Sequence, residues 1–95
     1  MDKVYVLVQT AKVKGEEDSI DVTVYANKDA AMAALTVVVN DFVNFIVDNS
    51  GCTMAKVLAN KVEGFDIYQD HEANSFGYST NEGGEFVQVR EEVIQ

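Results

Sequence analysis

The chain has 95 residues and a net charge of −9, and 47% of its residues are hydrophobic and 24% charged. A chain of this length buries only about 60 to 65% of its unfolded surface, so residues 1–95 are predicted to form a single domain with one core. The balance of apolar and charged residues argues against a disordered chain, and the polar residues that interrupt its apolar runs argue against a membrane protein.

The beginning of the chain and its cysteine content predict where the protein works. Residues 1–3 lead directly into an alternating segment and not into a basic region followed by a long apolar run, so the sequence predicts no secretory signal. Cys52 is the only cysteine, which excludes an internal disulfide and agrees with a reducing compartment. We therefore expect a soluble, cytoplasmic protein.

The charge of the chain argues against direct binding to nucleic acid. A net charge of −9 repels phosphate, and the seven basic residues are scattered along the sequence. The negative charge is uneven, because residues 65–95 hold seven acidic residues against Arg90 alone. One end of the sheet is therefore expected to be electronegative. The acidic residues concerned are Asp66, Asp70, Glu72, Glu82, Glu85, Glu91 and Glu92.

Two alternating segments near the start of the chain predict a β-hairpin. The first has one strongly apolar set and one mixed set of side chains, with the period of two that is typical of a strand. The apolar set is Val4, Val6, Val8 and Thr10, and the mixed set is Tyr5, Leu7, Gln9 and Ala11. Residues 20–26 alternate again, after a turn that contains Gly15 and an acidic run typical of a solvated hairpin tip.

Residues 27–49 are predicted to form one long helix. Asn27 can accept hydrogen bonds from the first free backbone N–H groups, Asp29 places negative charge in the first turn, and Gly51 suits a left-handed stop. The three valines at 37–39 individually favour a strand. Length decides for the helix, because about 20 residues without glycine or proline are too many for an ordinary strand.

The apolar side of this helix is wider than one small sheet can cover. At about 100° per residue its apolar positions span an arc of roughly 200°, about twice the minimum stripe that a helix needs. The central part of the arc contains Ala31, Leu35, Val38, Phe42, Phe45 and Ile46. We expect the remaining part to mediate self-association as a two-fold homodimer. The residues of this predicted contact are Met32, Val39, Val43 and Val47.

The second half of the chain predicts another hairpin. Residues 53–62 could form a short second helix, and residues 65–68 a short extended segment. Residues 73–80 and 86–94 are predicted strands around the turn at 81–84, the clearest turn signal in the chain. The first of these strands places Phe76 and Tyr78 on one side, and the second places Val87, Val89 and Val93 inward.

The order of these elements predicts an α+β fold. Two hairpins separated by a helix most readily form a two-layer ββαββ domain, with a four-stranded antiparallel sheet and the long helix across one face. This layout resembles that of uncharacterised acidic proteins encoded by bacterial phages and mobile elements. The resemblance rests on the Lys-Val-Tyr-Val opening at residues 3–6 and on the aromatic hairpin at 76–89. It implies no known activity and no functional residues.

The densest group of possible metal ligands is Asp66, Asp70, His71 and Glu72, since carboxylate oxygens and an imidazole can hold a divalent cation. The group lacks the spacing of a calcium-binding loop and any paired histidines, so a solvated acidic loop is the preferred interpretation. Cys52 and His71 are the one conceivable Cys–His pair, but Cys52 follows the C-terminal end of the helix, where the dipole disfavours a reactive thiolate. We therefore predict no enzymatic activity, cofactor or metal.

Two classes of function remain. A small domain without reactive chemistry is expected to act by binding another protein, as an accessory module. The alternative is an acidic nucleic-acid mimic of the phage anti-defence type, which needs carboxylates spaced like phosphates along one face of the protein. A divalent-metal-binding domain is a distant third. The protein-binding module is the preferred hypothesis.

Overall fold

The computed structural model describes residues 2–94, which form one sheet and two helices. In chain order the elements are β1 (Asp2–Val13), β2 (Ser19–Tyr25), α1 (Lys28–Ser50), α2 (Met54–Leu58), β3 (Asp66–Asp70), β4 (Ser75–Thr80) and β5 (Gly83–Ile94). The strands lie in the order β2-β1-β5-β4-β3, and every neighbouring pair is antiparallel. The fold therefore belongs to the predicted α+β class.

The sheet has five strands, so the prediction of four is wrong. The additional strand is β3, which includes most of the predicted extended segment and pairs with β4 at one edge of the sheet. Its buried apolar residue, Ile67, lies opposite Tyr78, and its backbone N–H donates to Asn60 Oδ1 at 3.0 Å. A five-residue strand with one buried side chain offers too short an alternation to be told from a loop by its sequence.

The longest pairing in the sheet joins the two ends of the described chain. β1 and β5 are each 12 residues long and pair from Asp2 opposite Ile94 to Val13 opposite Gly83. β2 extends the sheet beyond β1, and β4 and β3 extend it beyond β5. Helix α1 contacts β1, β2, β4 and β5, so it lies across one face.

Helix α1 confirms the predicted long helix and both of its end signals. The Asn27 side-chain oxygen accepts hydrogen bonds from the backbone N–H groups of Asp29 at 2.7 Å and Ala30 at 3.2 Å. Gly51 ends the helix in the left-handed conformation, with φ 71°, and its N–H donates to the Val47 carbonyl at 2.9 Å. Capping and packing against the sheet outweigh the strand preference of the valines within the helix.

The core lies between α1 and the face of the sheet that α1 covers. The helix contributes Ala31, Leu35, Phe42, Val43 and Ile46, and the sheet contributes Leu7, Ile67, Phe76, Tyr78, Val87 and Val89. The Phe42 ring packs against Phe76 and Tyr78, with ring centroids 6.4 and 5.7 Å apart. The inward prediction is confirmed for Val87 and Val89. Val93 is 46% exposed and lies outside the core.

The predicted second helix is present but covers only five residues. Thr53 caps α2, because its hydroxyl accepts a hydrogen bond from the Lys56 backbone N–H at 3.3 Å. Val57 within α2 and Val62 after it are both buried, and α2 packs against α1. The segment that follows α1 therefore adds apolar cover that the sheet alone does not provide.

Candidate interaction surface

The sheet has a second face, opposite α1, which we call the outer face. Side chains alternate along a strand, so the neighbours of buried Leu7, Val87 and Val89 point away from the helix. The outer face consists of Val4, Val6, Val8, Thr10 and Lys12 of β1, Ile20, Val22 and Val24 of β2, Gly84, Phe86, Gln88, Arg90 and Glu92 of β5, Ser75, Gly77 and Ser79 of β4, and Asp66, Tyr68 and Asp70 of β3.

The β1–β2 half of the outer face is almost wholly aliphatic. The strand register places Val6 opposite Val24 and Val8 opposite Val22. The side chains of Ile20, Val22 and Val24 are 67%, 58% and 60% exposed. Soluble proteins usually protect an edge strand with charged residues, and a contiguous exposed apolar patch typically marks an interaction site.

The aliphatic patch continues across the sheet into an aromatic row. Thr10 of β1 lies opposite Ile20 on one side and Phe86 on the other, and the row continues through β4 to Tyr68 of β3. The Tyr68 hydroxyl is 2.9 Å from Ser79 Oγ, which fixes the tip of this exposed ring. Next to this row is a cleft of about 490 Å³, lined on the outer face by Ile20, Phe86 and Tyr68 among others.

Charged residues occur at the margins of the outer face. Lys12 lies at one end of β1, whereas Arg90 and Glu92 lie towards the opposite end of the β1–β5 ladder. Arg90 Nε donates to Gln88 Oε1 at 3.1 Å on the same strand. Asp66 and Asp70 lie on β3, at the edge farthest from the aliphatic half. The aliphatic β1–β2 half of the face therefore lies at one edge of the sheet, with charged residues towards the ends of the β1–β5 ladder, and the β4–β3 half is largely polar.

The four residues predicted to mediate self-association do not form an exposed patch on the helix. Val43 is buried, and Met32, Val39 and Val47 are half-buried and pack against the core. The wide apolar side of α1 thus finds much of its cover within the chain. The large exposed apolar surface lies on the opposite side of the molecule, on the sheet.

The seven acidic residues after residue 64 do not share one face. Asp66, Asp70 and Glu92 belong to the outer face, whereas Glu85 and Glu91 alternate to the helix side of β5. Glu85 accepts from the Tyr78 hydroxyl, and Glu91 pairs with Lys3 at 3.3 Å. Glu72 and Glu82 lie in the turns at opposite ends of β4, about 20 Å apart for a strand of six residues. The predicted electronegative region is therefore dispersed.

Of the four candidate metal ligands, Asp66 and Asp70 lie on β3, and His71 and Glu72 lie in the turn that follows it. Asp70 Oδ1 accepts hydrogen bonds from the backbone N–H groups of Glu72 at 3.0 Å and Ala73 at 3.1 Å, which fixes the chain between β3 and β4. Within residues 2–94, no three His, Cys, Asp or Glu side chains lie close enough together to hold a metal ion. Cys52 is half-buried against the core directly after the helix cap.

The environment of Tyr78 clearly perturbs the pKa of its hydroxyl. Its ring packs between Phe42 and Phe45, and its hydroxyl donates to Glu85 Oε2 at 2.7 Å. Burial, together with this hydrogen bond and the negative charge of Glu85, raises the pKa of the Tyr78 hydroxyl well above its usual value of 10.0. The fold therefore holds this hydroxyl protonated.

The raised pKa predicts a loss of stability at alkaline pH. In the unfolded chain Tyr78 ionises near pH 10, whereas in the folded protein it stays protonated, so its contribution is complete below about pH 10 and falls as the pH rises further. Urea unfolding between pH 9 and about 11.5 is expected to show a steeper decline in the free energy of unfolding for the wild type than for Tyr78→Phe. Parallel declines for the two proteins would contradict this assignment.

Helix α1 is long and apolar enough to cross a membrane by length and composition. Core helices of soluble proteins meet the same criterion. In this structure α1 packs through one side on the sheet and on α2, and it carries exposed Asn40, Asp41 and Asp48 along its length. These contacts bury one side of the helix against the rest of the described chain.

Comparison of the chain with protein-family models, with curated proteins and with solved structures gives no match. Assignment of a function therefore depends on the residues and geometry of the protein itself.

Sequence reasoning missed the residues that form the candidate surface. The alternation of residues 20–26 is visible in the sequence, and it places Ile20, Val22 and Val24 on one side of a hairpin strand. The alternating pattern predicts a strand but does not state which side meets the helix. In the folded chain the mixed side of β1, with Tyr5 and Leu7, faces α1.

Proposed function

We propose that this protein is a non-enzymatic, protein-binding accessory module that works in the cytoplasm and binds its partner through the outer face. The supporting observation is the aliphatic half of that face, which stays exposed although the chain has a complete core on the other side of the sheet. Folding gains nothing from three exposed β-branched side chains on one edge strand. Burial against another protein would stabilise a complex by about 25 cal/mol per Å² of apolar surface removed from water.

The distribution of side chains supports binding rather than catalysis. Protein interfaces typically combine an apolar centre with a polar, charged rim. The outer face has an apolar patch, with Val8 and Val22 in its β1–β2 half, and charged residues towards the ends of the β1–β5 ladder, namely Lys12, Arg90 and Glu92. The aliphatic side chains of this half offer contact area and no group suited to proton transfer or nucleophilic attack.

An acidic nucleic-acid mimic is the weaker candidate. It draws support from the net charge of −6 that residues 65–95 contribute. A mimic needs its carboxylates in a continuous line on one exposed face, and here they lie on two faces of the sheet and in two turns. Metal binding is weaker still, since Asp70 is engaged with the backbone of its own turn. An origin in a phage or mobile element stays a prediction from the resemblance.

The proposal is tested by capture from the source cell with two matched variants. Val22 and Thr23 are both exposed neighbours on β2, but Val22 lies on the outer face and Thr23 on the helix side. Immobilised wild type and Thr23→Asp are expected to retain the same partner, and Val22→Asp to lose at least about tenfold in affinity, because the new carboxylate must be desolvated in an apolar contact.

The salt dependence of capture separates the two candidate functions. An apolar contact is expected to persist in about 0.5 M salt and in the presence of competing DNA, because salt screens exposed charges and leaves apolar burial intact. A partner that is lost at this salt concentration, displaced by DNA and indifferent to Val22→Asp would favour the acidic mimic. Capture that the two variants reduce equally would contradict the assignment to the outer face.

A further inference from the structure

The outer face has the size of a complete protein interface. The molecule measures 46 × 31 × 17 Å, and its short dimension accommodates one helix layer on one sheet, so nothing within the described chain covers the other side. Five strands about 4.8 Å apart make the sheet about 24 Å wide, and seven residues at about 3.3 Å each make it about 23 Å long, so the planar area of the face is roughly 550 Å². The accessible area of a surface covered by side chains exceeds its plane, which brings the face close to the roughly 800 Å² per partner of a stable complex.

We propose that a second copy of this chain covers the outer face when no other partner does, giving a four-layer helix–sheet–sheet–helix dimer. The inference rests on the proposed function, since it assigns an occupant to the same face. The two sheets would pack about 10 Å apart with their strands nearly aligned. The two-fold axis lies between the sheets, perpendicular to the strands, and passes over the paired residues Val8 and Val22.

The arrangement of apolar residues selects this axis. An axis parallel to the strands would place β2 of one copy over β3 of the other, so that Val22 and Val24 would meet a strand carrying Asp66 and Asp70. The axis perpendicular to the strands places β1 and β2 over the same strands of the second copy. Val22 then meets the second Val22, and Ile20 meets the second Val24, so aliphatic side chains face aliphatic side chains.

The charged margins of the outer face agree with the same axis. The Val8–Gln88 pair lies on the axis. Arg90 is two residues after Gln88 on β5 and Phe86 is two residues before it, so each Arg90 faces the Phe86 ring of the other copy, a favourable cation–π arrangement. Lys12 is four residues from Val8 on β1, and Glu92 is four residues from Gln88 on β5, towards the opposite end of the ladder. The axis therefore brings each Lys12 next to the Glu92 of the other copy. Asp70 lies on the same row as Val8 and Gln88, so this axis also brings the two Asp70 carboxylates together at the β3 edge of the contact, where they stay exposed and solvent screens their repulsion.

Sedimentation velocity of the full chain tests the proposal. The wild type is expected to sediment at twice its monomer mass of 10.4 kDa at tens of micromolar, and to do so in about 0.5 M NaCl as well. Val22→Asp is expected to weaken the dimer at least tenfold, whereas Thr23→Asp, which adds the same charge to the other side of β2, leaves it intact. A monomeric wild type would overturn the inference and leave the proposed function standing. A wild type that forms the dimer but captures no other protein would support the inference and not the proposed function.

A charge exchange tests the axis itself. Within one copy Lys12 and Glu92 are about 27 Å apart, because Lys12 is eight positions along β1 from Val4, the partner of Glu92, at about 3.4 Å per position. Lys12→Glu and Glu92→Lys are each expected to weaken the dimer several-fold, and the double variant to recover most of that loss, a recovery that can arise only between copies. Absence of recovery would overturn the axis. A dimer indifferent to Val22→Asp but lost on Val39→Asp would overturn the outer face as the contact.

Discussion

Replacing Phe76 with alanine is expected to lower the free energy of unfolding by about 3 to 5 kcal/mol. Phe76 is 2% exposed, among the largest fully buried side chains, and its ring packs 6.4 Å from that of Phe42 across the helix–sheet boundary. Alanine would leave a cavity between two layers that the long pairing of β1 with β5 holds in place. A domain of this length has a total stability of only about 5 to 14 kcal/mol, so much of it would be lost.

Phe45→Ala is the matched control for this prediction. Phe45 stacks on Tyr78 with ring centroids 5.5 Å apart but is 45% exposed, so its removal leaves a surface groove and no cavity. The expected loss is about 1 kcal/mol. Urea unfolding followed by circular dichroism measures both variants. Equal losses for Phe76→Ala and Phe45→Ala would show that the core does not centre on the Phe42–Phe76 contact.

The long helix could be predicted because its two ends are fixed by local chemistry. Asn27 and Gly51 act through the backbone within a few residues, so their roles do not depend on what the helix packs against. The shared side of Phe76 and Tyr78 and the inward positions of Val87 and Val89 followed from alternation beside a clear turn. The residues that determine these elements lie close together in the sequence, so the elements can be predicted without knowing their tertiary contacts.

The fifth strand, β3, could not be predicted because its extended conformation depends mainly on pairing with β4 and not on its own sequence. β3 has one buried side chain, Ile67, between residues that are exposed and in part acidic. Its position depends on hydrogen bonds to β4 and on Asn60 from the preceding loop. Such an element has little preference of its own, and tertiary pairing decides its structure.

The candidate surface was missed because an apolar set of strand side chains can face either the protein's own core or another protein, and the sequence pattern is the same in both cases. The wide apolar arc of α1 predicts a contact with a second chain, but α2 and the segment after it provide part of that cover, with Val57 and Val62 buried. The unmet apolar surface is on the sheet instead, at Ile20, Val22 and Val24. Self-association stays a prediction, and its proposed contact moves from the helix to the outer face.

A contact on the outer face also explains why β2 carries three aliphatic side chains, Ile20, Val22 and Val24, that the chain's own core does not use. β2 presents Asp21 and Thr23 on the helix side, where they remain exposed, and its aliphatic residues on the outer side. A strand that served only to shield the core would be expected to have the opposite arrangement. The aliphatic side of β2 is therefore better suited to contact with another protein than its exposed helix side, at Asp21 and Thr23, is to contact with α1.

Gly83→Ala is expected to destabilise the fold by about 3 to 5 kcal/mol, because two separate costs add. Gly83 begins β5 with φ 134°, a backbone conformation that residues with a side chain rarely adopt. A Cβ atom at this position would also overlap the Lys12 carbonyl oxygen and lie 2.9 Å from Val13 Cα. Both contacts are to backbone of β1, so relief would require the ends of the β1–β5 ladder to separate.

Gly51→Ala isolates the first of these costs. Gly51 also has a positive φ, 71°, but an added Cβ would have nothing within 4 Å, so the expected loss is the conformational cost of about 1 kcal/mol. Thermal and urea unfolding of the two variants should therefore differ by at least about 2 kcal/mol, which corresponds to a gap of roughly 8 °C or more in Tm for a domain of this size. A Gly83→Ala protein as stable as Gly51→Ala would mean that β1 and β5 can separate at this end without loss, and that their twelve-residue pairing does not set the stability of the sheet.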